Sequence, residues 1–143
     1  RMSSKHRFSR FCRVCFAESP RRRAVFTACG HIICRACACE CADKHSMDGA
    51  LSCPTCKSHG GFVHLFENDI GSYIYSRFSR DCEVCLDTPH QRALFTSCGH
   101  LLCLACAEQL NLSAREQMRV VRCPMCNGRG GWRRMDEETE DTE

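Results

Sequence analysis

Apolar residues occur in runs of only a few along this chain, and polar or cysteine-rich stretches separate them. Two such runs, residues 24–27 and 93–96, predict short strands. Residues 32–33 and 101–102 are the apolar positions that follow, so we expect each to form the second strand of a hairpin. No run approaches the roughly 18 apolar residues that a membrane-spanning helix needs, and no signal segment opens the chain. We therefore expect a soluble, unsecreted protein.

The helical pattern is strongest in the second half. Residues 105–118 are rich in good helix formers, and small or apolar side chains recur there every four residues. The predicted inner face consists of Cys106, Leu110, Ala114 and Met118. A shorter and weaker helix is predicted in the first half, ending near Asp48 and Gly49.

The segment between the two halves is too apolar to be a flexible tether. Residues 62–78 contain nine apolar or aromatic positions, whereas flexible linkers are rich in glycine and serine. Asn68 and Asp69 can cap a short helix that begins near Ile70. Two alternatives are equally open for these side chains: the two halves pack on each other, or the segment binds another chain, including a second copy of this one.

Cysteine dominates the composition, with 16 of 143 residues. Two halves of about 70 residues each are too small to hold together on apolar burial alone, so a covalent or coordinate link is needed. In a reducing compartment, many cysteines indicate metal ligands rather than disulfides. We therefore expect zinc, and a cytoplasmic or nuclear location.

The chain contains two copies of one module. Residues 7–10 reappear unchanged as residues 77–80, a period of 70. After a one-residue deletion, residues 23–31 match residues 92–100. Fourteen cysteines and two histidines recur in this comparison. Cys39 and Cys41 do not recur, because Glu108 and Leu110 stand at their positions, and we interpret them as plain cysteines on a helix face.

Each copy offers eight candidate ligands, in the order cysteine pair, Cys-x-His, cysteine pair, cysteine pair. Those of the first copy are Cys12, Cys15, Cys29, His31, Cys34, Cys37, Cys53 and Cys56. Those of the second copy are Cys82, Cys85, Cys98, His100, Cys103, Cys106, Cys123 and Cys126. Eight ligands fill two tetrahedral zinc sites, so we expect four ions per chain. Neighbouring groups share an ion in sequential zinc fingers, whereas alternate groups share one in an interleaved fold.

The Cys-x-His-x2-Cys-x2-Cys core and the closing Cys-Pro-x-Cys resemble the RING finger over residues 12–56 and 82–126. The resemblance implies a small zinc-stabilised α+β fold with two tandem cross-braced RING fingers, each a short β-hairpin plus one helix. In that arrangement the first pair shares an ion with the third, and the second with the fourth. The implied quartets are Cys12, Cys15, Cys34 and Cys37; Cys29, His31, Cys53 and Cys56; Cys82, Cys85, Cys103 and Cys106; and Cys98, His100, Cys123 and Cys126.

Four regions follow from this interpretation. Residues 8–61 form the first RING finger, residues 62–77 an apolar connecting segment with helical potential, and residues 78–135 the second RING finger. Residues 136–143 contain six acidic side chains and little to bury, so we expect a disordered acidic tail.

The charge of the chain gives little support to nucleic-acid binding. The formal net charge is +3, and it is +9 without the six acids of the tail. Zinc-bound cysteines are thiolates. Each four-cysteine site then has a charge of −2, and each site of three cysteines and one histidine has a charge of −1. Two sites of each kind lower the net charge without the tail to about +3. The basic run at residues 21–23, together with residues 132–134, is the best candidate for phosphate contact.

The RING resemblance also implies an activity. RING fingers typically act as ubiquitin ligases that contain no catalytic nucleophile. They dock a ubiquitin-conjugating enzyme and hold its ubiquitin thioester ready for attack by a substrate lysine, which is catalysis by positioning. We therefore expect a RING-type ubiquitin-protein transferase with no catalytic residue of its own.

Family members contact the conjugating enzyme through two apolar residues and a proline, and a basic residue after the last cysteine contacts both enzyme and ubiquitin. In the first copy the matching residues are Val14, Cys41, Pro54 and Lys57. In the second copy they are Val84, Leu110, Pro124 and Asn127. Each copy departs from the pattern, because Cys41 is small and Asn127 is neutral.

Two other functions remain as alternatives. The tandem fingers could join proteins as a scaffold without promoting ubiquitin transfer. Less favoured is a nucleic-acid-binding module, which the steep salt dependence of phosphate contacts would reveal.

Overall fold

The structure is a computed structural model that describes residues 7–45, 51–69, 78–137 and 139–140. The chain divides into two compact units. The first unit contains Lys5–His64 and Met135–Glu143, and the second contains Leu65–Arg134 together with Arg1–Ser4. Each unit therefore combines one repeat with a segment that follows the other repeat in sequence.

The first unit is built on a three-stranded antiparallel sheet. Its central strand, β2 (Arg23–Phe26), pairs with β3 (Ile32–Cys34) on one side and β4 (Phe62–His64) on the other. The helix α1 (Arg35–His45) begins directly after β3 and packs against β2 and β3. The strand order places the ends of the Cys-x-His loop on adjacent strands.

The second unit repeats this arrangement. Here β7 (Arg92–Phe95) lies between β8 (Leu101–Cys103) and β9 (Trp132–Arg134). The helix α2 (Leu104–Glu116) follows β8 without a break. Both central strands are buried along their whole length, as expected for a strand covered on both faces.

Two further strand pairs fasten the segments that follow each repeat. In the first unit, β1 (Arg7–Phe8) pairs with β10 (Thr139–Glu140). In the second unit, β5 (Asn68–Asp69) pairs with β6 (Phe78–Ser79). All four strands contain two residues, so the backbone contact is short in both units.

The apolar cores are small and contain many cysteines. In the first unit the buried cluster has eight members, and four of them are cysteines. In the second unit three of seven members are cysteines. Phe26 and Ile33 are the largest side chains of the first cluster, and Phe95 and Leu102 those of the second.

The predicted α+β fold is confirmed, and both hairpins lie within one residue of their expected positions. The third strand of each sheet, β4 or β9, was not predicted from the sequence. In the first unit, Val63 lies opposite Val25 and the ring of Phe62 meets that of Phe26 edge-on at 5.7 Å. A three-residue strand with a distant partner has too few positions to show a period of two.

The second helix ends earlier than expected. α2 stops at Glu116, and Met118 is 93% exposed with φ at 55°. A residue in the left-handed region ends a helix, so Met118 does not extend the inner face. The stop signal at Asp48 and Gly49 and the proposed helix near Ile70 lie outside the described residues. Neither described helix has the length and apolar character to cross a membrane.

The acidic segment also departs from expectation where the structure describes it. β10 (Thr139–Glu140) lies within residues 136–143, the segment expected to be disordered. Strand pairing uses backbone N–H and C=O groups, which an acidic composition does not remove. The part of the connecting segment that is described is divided between the units, since β4 belongs to the first and β5 to the second.

We predict that Phe95→Ala lowers the free energy of unfolding by about 3–5 kcal/mol, because it leaves a cavity in a core with few large side chains. Urea denaturation in reducing buffer with zinc present measures this change. Leu112→Ala is the control, since Leu112 is 52% exposed on α2 and its loss is expected to cost below about 0.5 kcal/mol. Equal destabilisation by the two variants would contradict the assigned core.

Candidate metal centres

The cysteine pairs of the Cys-x-x-Cys type lie at tight turns or at a helix start. In four turns, the residue after the second cysteine donates its backbone N–H to the carbonyl of the first. These bonds are 2.7–2.8 Å long and join Phe16 to Cys12, Lys57 to Cys53, Leu86 to Cys82 and Asn127 to Cys123. All four donors have φ between 64° and 68°. The left-handed residue reverses the chain, and the two sulfurs of each pair lie within 4.8 Å of each other.

The Cys-x-His groups depend on a glycine. Gly30 and Gly99 have φ of 85° and 83°, a region that other residues rarely adopt. Each donates its N–H to the carbonyl of the strand's last residue, Phe26 or Phe95, at 2.7 and 2.8 Å. This turn brings the cysteine before the glycine and the histidine after it within 3.2 Å of each other, measured between sulfur and Nδ1.

The third pair of each repeat lies where β-strand passes into α-helix. Cys103 ends β8 and caps α2, and its sulfur accepts a hydrogen bond from the N–H of Cys106 at 3.4 Å. The N-terminus of a helix carries partial positive charge and stabilises a thiolate. In the first repeat, Cys34 likewise ends β3 immediately before α1.

The structure gathers the sixteen candidate ligands into four groups whose ligand atoms lie within 4.8 Å of one another. The groups are Cys12, Cys15, Cys34 and Cys37; Cys29, His31, Cys53 and Cys56; Cys82, Cys85, Cys103 and Cys106; and Cys98, His100, Cys123 and Cys126. The pairing is interleaved rather than sequential, so each repeat is braced across itself.

The spacing of the sulfurs fits zinc. Two Zn–S bonds of about 2.3 Å at a tetrahedral angle place their sulfurs about 3.8 Å apart. In the four-cysteine group of the first repeat, the Cys12–Cys37 sulfurs are 3.8 Å apart and the Cys15–Cys34 sulfurs 3.7 Å apart. The four-cysteine group of the second repeat has the same two distances. These separations are far longer than the S–S bond of a disulfide, about 2.05 Å.

The histidines approach their groups through Nδ1. In the first repeat this atom lies 3.2 Å from the sulfur of Cys29 and 3.7 Å from that of Cys53. A tetrahedral zinc with mixed ligands separates nitrogen from sulfur by about 3.6 Å, so the geometry assigns Nδ1 as the ligand atom. Nε2 then carries the ring proton. Four protein ligands fill each site, which is typical of structural rather than catalytic zinc.

Burial and hydrogen bonding together set the pKa of the free thiols. Burial raises the pKa of Cys29 to about 12, because the thiolate is poorly solvated there. Burial also acts on Cys12, but hydrogen bonds from backbone groups, that of Cys34 foremost, outweigh it and lower the pKa to about 7. The hydroxyl and backbone of Ser58 lower the pKa of Cys56 to about 6. Without metal, a group of four ligands therefore keeps protons on some of its thiols, and a metal ion must displace those protons to bind.

The two unmatched cysteines stay outside the four groups. Cys39 is exposed and Cys41 is half-buried on α1. They lie where the sequence comparison placed them, on the helix rather than in a metal site.

The residues expected to dock a conjugating enzyme occupy the rims of the zinc turns and the helices. In the first repeat Val14 is 38% exposed and Lys57 is exposed, whereas Cys41 and Pro54 are half-buried. In the second repeat Val84 is 49% exposed, Pro124 and Asn127 are exposed, and Leu110 is half-buried against the core cluster. Their docking role stays a prediction.

Three residues near these sites were not found by sequence reasoning. Asp136 places Oδ2 3.0 Å from Nε2 of His31, and the ring of Phe66 stacks on that of His100. Arg122 donates from Nη1 to the carbonyl of Asn127 at 3.0 Å. Residues 66 and 136 are one repeat period apart, but their side chains differ in type, so a search for identical residues passes over them.

Both repeats match one family model, described as the zinc-RING finger domain, over residues 11–58 and 81–128. The protein named E3 ubiquitin ligase TRIM40 from Mus musculus is 34% identical over 109 residues, which cover 76% of this chain and 38% of the mouse protein. The rat protein of the same name (Rattus norvegicus) is 31% identical over 109 residues, which again cover 76% of this chain and 38% of the rat protein. A rice protein (Oryza sativa subsp. indica) named Probable E3 ubiquitin-protein ligase BAH1-like 1 is 33% identical over 46% of this chain and 22% of its own length.

The matched part of the chain thus spans about 38% of the length of the two rodent relatives. The family model and the four ligand groups together establish zinc as the cofactor, with four ions per chain.

We predict that a strong chelator unfolds both repeats, because each structural zinc contributes roughly 10–16 kcal/mol to folding. Circular dichroism follows the loss of structure, and elemental analysis counts the metal. Cys12→Ser is expected to reduce the count of about four ions, whereas Cys39→Ser retains it and serves as the control. A circular dichroism spectrum that survives metal stripping would refute this dependence.

We also predict that zinc affinity falls as the pH is lowered from 8 to 6. Burial raises the pKa of Cys29 to about 12, so the free thiol is protonated throughout this range. Protons therefore compete with zinc for the sulfur, and they compete more strongly as the pH falls. The affinity should fall about tenfold per pH unit for each thiol that takes up a proton. Competition with a chromogenic chelator measures it, and a pH-independent affinity would be inconsistent with thiol ligands.

Proposed function

The chain belongs to the zinc-RING finger family, and on that premise we propose that it acts as a ubiquitin ligase. It would dock a ubiquitin-conjugating enzyme and promote transfer of ubiquitin to a lysine of a protein substrate. The observation that carries this proposal is the pair of interleaved zinc modules, each with an exposed valine at the rim of its first zinc turn. The names of the mouse, rat and rice relatives support the same activity.

The chemistry assigned to this chain is positioning. Every zinc site is filled by four protein ligands, so none offers an open position to activate a water or a carbonyl. Rate enhancement then comes from holding the ubiquitin thioester in an attack-ready geometry, which lowers the entropic part of the barrier. The thioester itself resides on the conjugating enzyme.

We assign docking to the second repeat. Val84 is 49% exposed there, and Leu110 lines a surface groove that also contains Arg122. Leu110 offers a larger apolar surface than Cys41, its counterpart in the first repeat. Apolar anchors of this kind carry much of the energy of a protein interface.

Arg122 supplies the positive charge that Asn127 lacks. Its guanidinium uses one N–H to hold the carbonyl of Asn127, and the side chain is exposed. A guanidinium has five N–H donors in a rigid fork, so further donors remain for oxygen atoms of a docked protein. The matching position in the first repeat is Ser52, and there Lys57 provides the charge after the last cysteine.

The first repeat then serves as a scaffold or as a platform for the substrate. Lys57 is exposed but Cys41 offers only a small apolar surface. We place the protein in the cytoplasm or nucleus, where reduced thiols are available to bind zinc.

Nucleic-acid binding is less well supported. Arg23, the last residue of the basic run, is 6% exposed in β2 and so is withdrawn from a phosphate-binding surface. Trp132 is half-buried and donates Nε1–H to Asn111 at 3.0 Å, which occupies its polar edge. A scaffold that joins proteins without ubiquitin transfer is the principal alternative.

We predict that Leu110→Ala lowers lysine discharge from a ubiquitin-loaded conjugating enzyme by about tenfold, because an apolar anchor is lost. Arg122→Ala should lower it comparably, and Arg122→Lys less, because lysine keeps the charge without the fork. Val14→Ala tests the first repeat in the same assay and should have little effect. Discharge from a panel of conjugating enzymes gives the rates.

Leu112→Ala is the matched control, since Leu112 lies on the same helix and is exposed. The zinc content of every variant should stay at about four ions per chain. A loss caused only by Val14→Ala would transfer docking to the first repeat. No discharge with any enzyme of the panel would favour the scaffold.

A further inference from the structure

The segments that follow the two repeats meet equivalent places beside the Cys-Gly-His turns. Asp136 donates its backbone N–H to the carbonyl of Gly30 at 3.0 Å, and Phe66 donates to that of Gly99 at 3.1 Å. Asp136 and Gly30 belong to the first unit, and Phe66 and Gly99 to the second. Because residues 66 and 136 are one repeat period apart, the two backbone contacts are counterparts.

The side chains at these counterpart positions make different contacts with the histidine of the nearby zinc site. Oδ2 of Asp136 lies 3.0 Å from Nε2 of His31. The ring of Phe66 instead stacks on the ring of His100, with centroids 4.4 Å apart and planes inclined by 13°. One histidine therefore has a carboxylate acceptor at its outer nitrogen, and the other has an aromatic face over its ring.

The carboxylate is placed where it can act on the metal through the histidine. Nδ1 of His31 faces the cysteines of its group, so Nε2–H is the donor left for Asp136. Such a hydrogen bond fixes the tautomer, orients the ring and makes the ligating nitrogen more basic, and removal of the acceptor typically weakens metal binding about 10–100-fold. Phenylalanine has no acceptor and cannot do this.

The local charge favours the approach of the acidic segment. Asp136 and Glu137 line a small cleft of the first unit together with Arg10, Arg13 and His31. Opposite charges in one cleft attract the segment to the side of the repeat on which His31 lies. The short pairing of β10 with β1 holds the same segment a few residues further along.

We propose that Asp136 stabilises the zinc site that contains His31, because it orients the His31 ring through Nε2. This site then retains zinc more firmly than its counterpart around His100. The segment after the second repeat thereby controls the metal stability of the first. This proposal concerns zinc retention and does not depend on ubiquitin ligase activity.

The test uses the full chain loaded with zinc and labelled with 15N in its histidines. Excess chelator is added, and the ring signals of His31 and His100 report the loss of metal at each site separately. In the unaltered chain, the His100 site should lose zinc first. Asp136→Ala should speed the loss at the His31 site by about tenfold or more and leave the rate at His100 unchanged.

Reciprocal variants exploit the repeat. Asp136→Phe gives the first repeat the residue of the second, and should bring release at the His31 site close to that at His100. Phe66→Asp should slow release at the His100 site. Asp136→Asn keeps an oxygen acceptor without the charge, so its rate should lie between those of the unaltered chain and Asp136→Ala, with an unchanged circular dichroism spectrum.

Glu137→Gln is the control, because it removes the same charge from the same segment without altering Asp136. It should leave release at the His31 site unchanged. An effect as large as that of Asp136→Asn would overturn the proposal, since general charge and not the contact would then be responsible. Unchanged release in both Asp136→Ala and Asp136→Asn would overturn it as well.

Discussion

Tetrahedral coordination by interleaved quartets is the constraint on which the rest of this structure depends. Each ion joins two pairs of ligands that are separated by another group in the sequence, so loosening one site releases loops that the other site also holds. The apolar clusters are too small to replace this bracing, and about half of their members are themselves ligand cysteines. The cysteines therefore serve both as ligands and as part of the core, which explains why these positions changed least between the two repeats.

The candidate ligands and the hairpins could be predicted from the sequence because these features are local or repeated. A Cys-x-x-Cys turn is set by a few neighbouring residues, and the second copy identifies which cysteines matter. The pairing of the groups required the RING resemblance, since spacing alone fits either a sequential or an interleaved order. Contacts between segments distant in sequence were harder. The edge strands β4 and β9 and the bond between Asp136 and His31 join residues from 36 to 105 positions apart, and a pattern within one window cannot show them.

The acidic composition of residues 136–143 does not predict the strand that forms there. Six acids in eight residues indicate an unfolded tail, yet Thr139–Glu140 form a strand. Backbone pairing and one well-placed carboxylate require little apolar surface, so charge content is a poor guide to a segment this short. The two repeats likewise keep the same ligands while their outer residues diverge, as Cys41 and Leu110 do, because a framework held by metal leaves the surface free to change.

The interlaced composition of the two units has a consequence for the order in which the chain can be completed during synthesis. All described strands of the second unit have been translated once Arg134 is reached, whereas the first unit receives β10 only afterwards. The module nearer the amino terminus is thus the later of the two to be finished on the ribosome. The strand that closes the first-made repeat is therefore translated after the whole second repeat, and a chain that stops after the first repeat never acquires it.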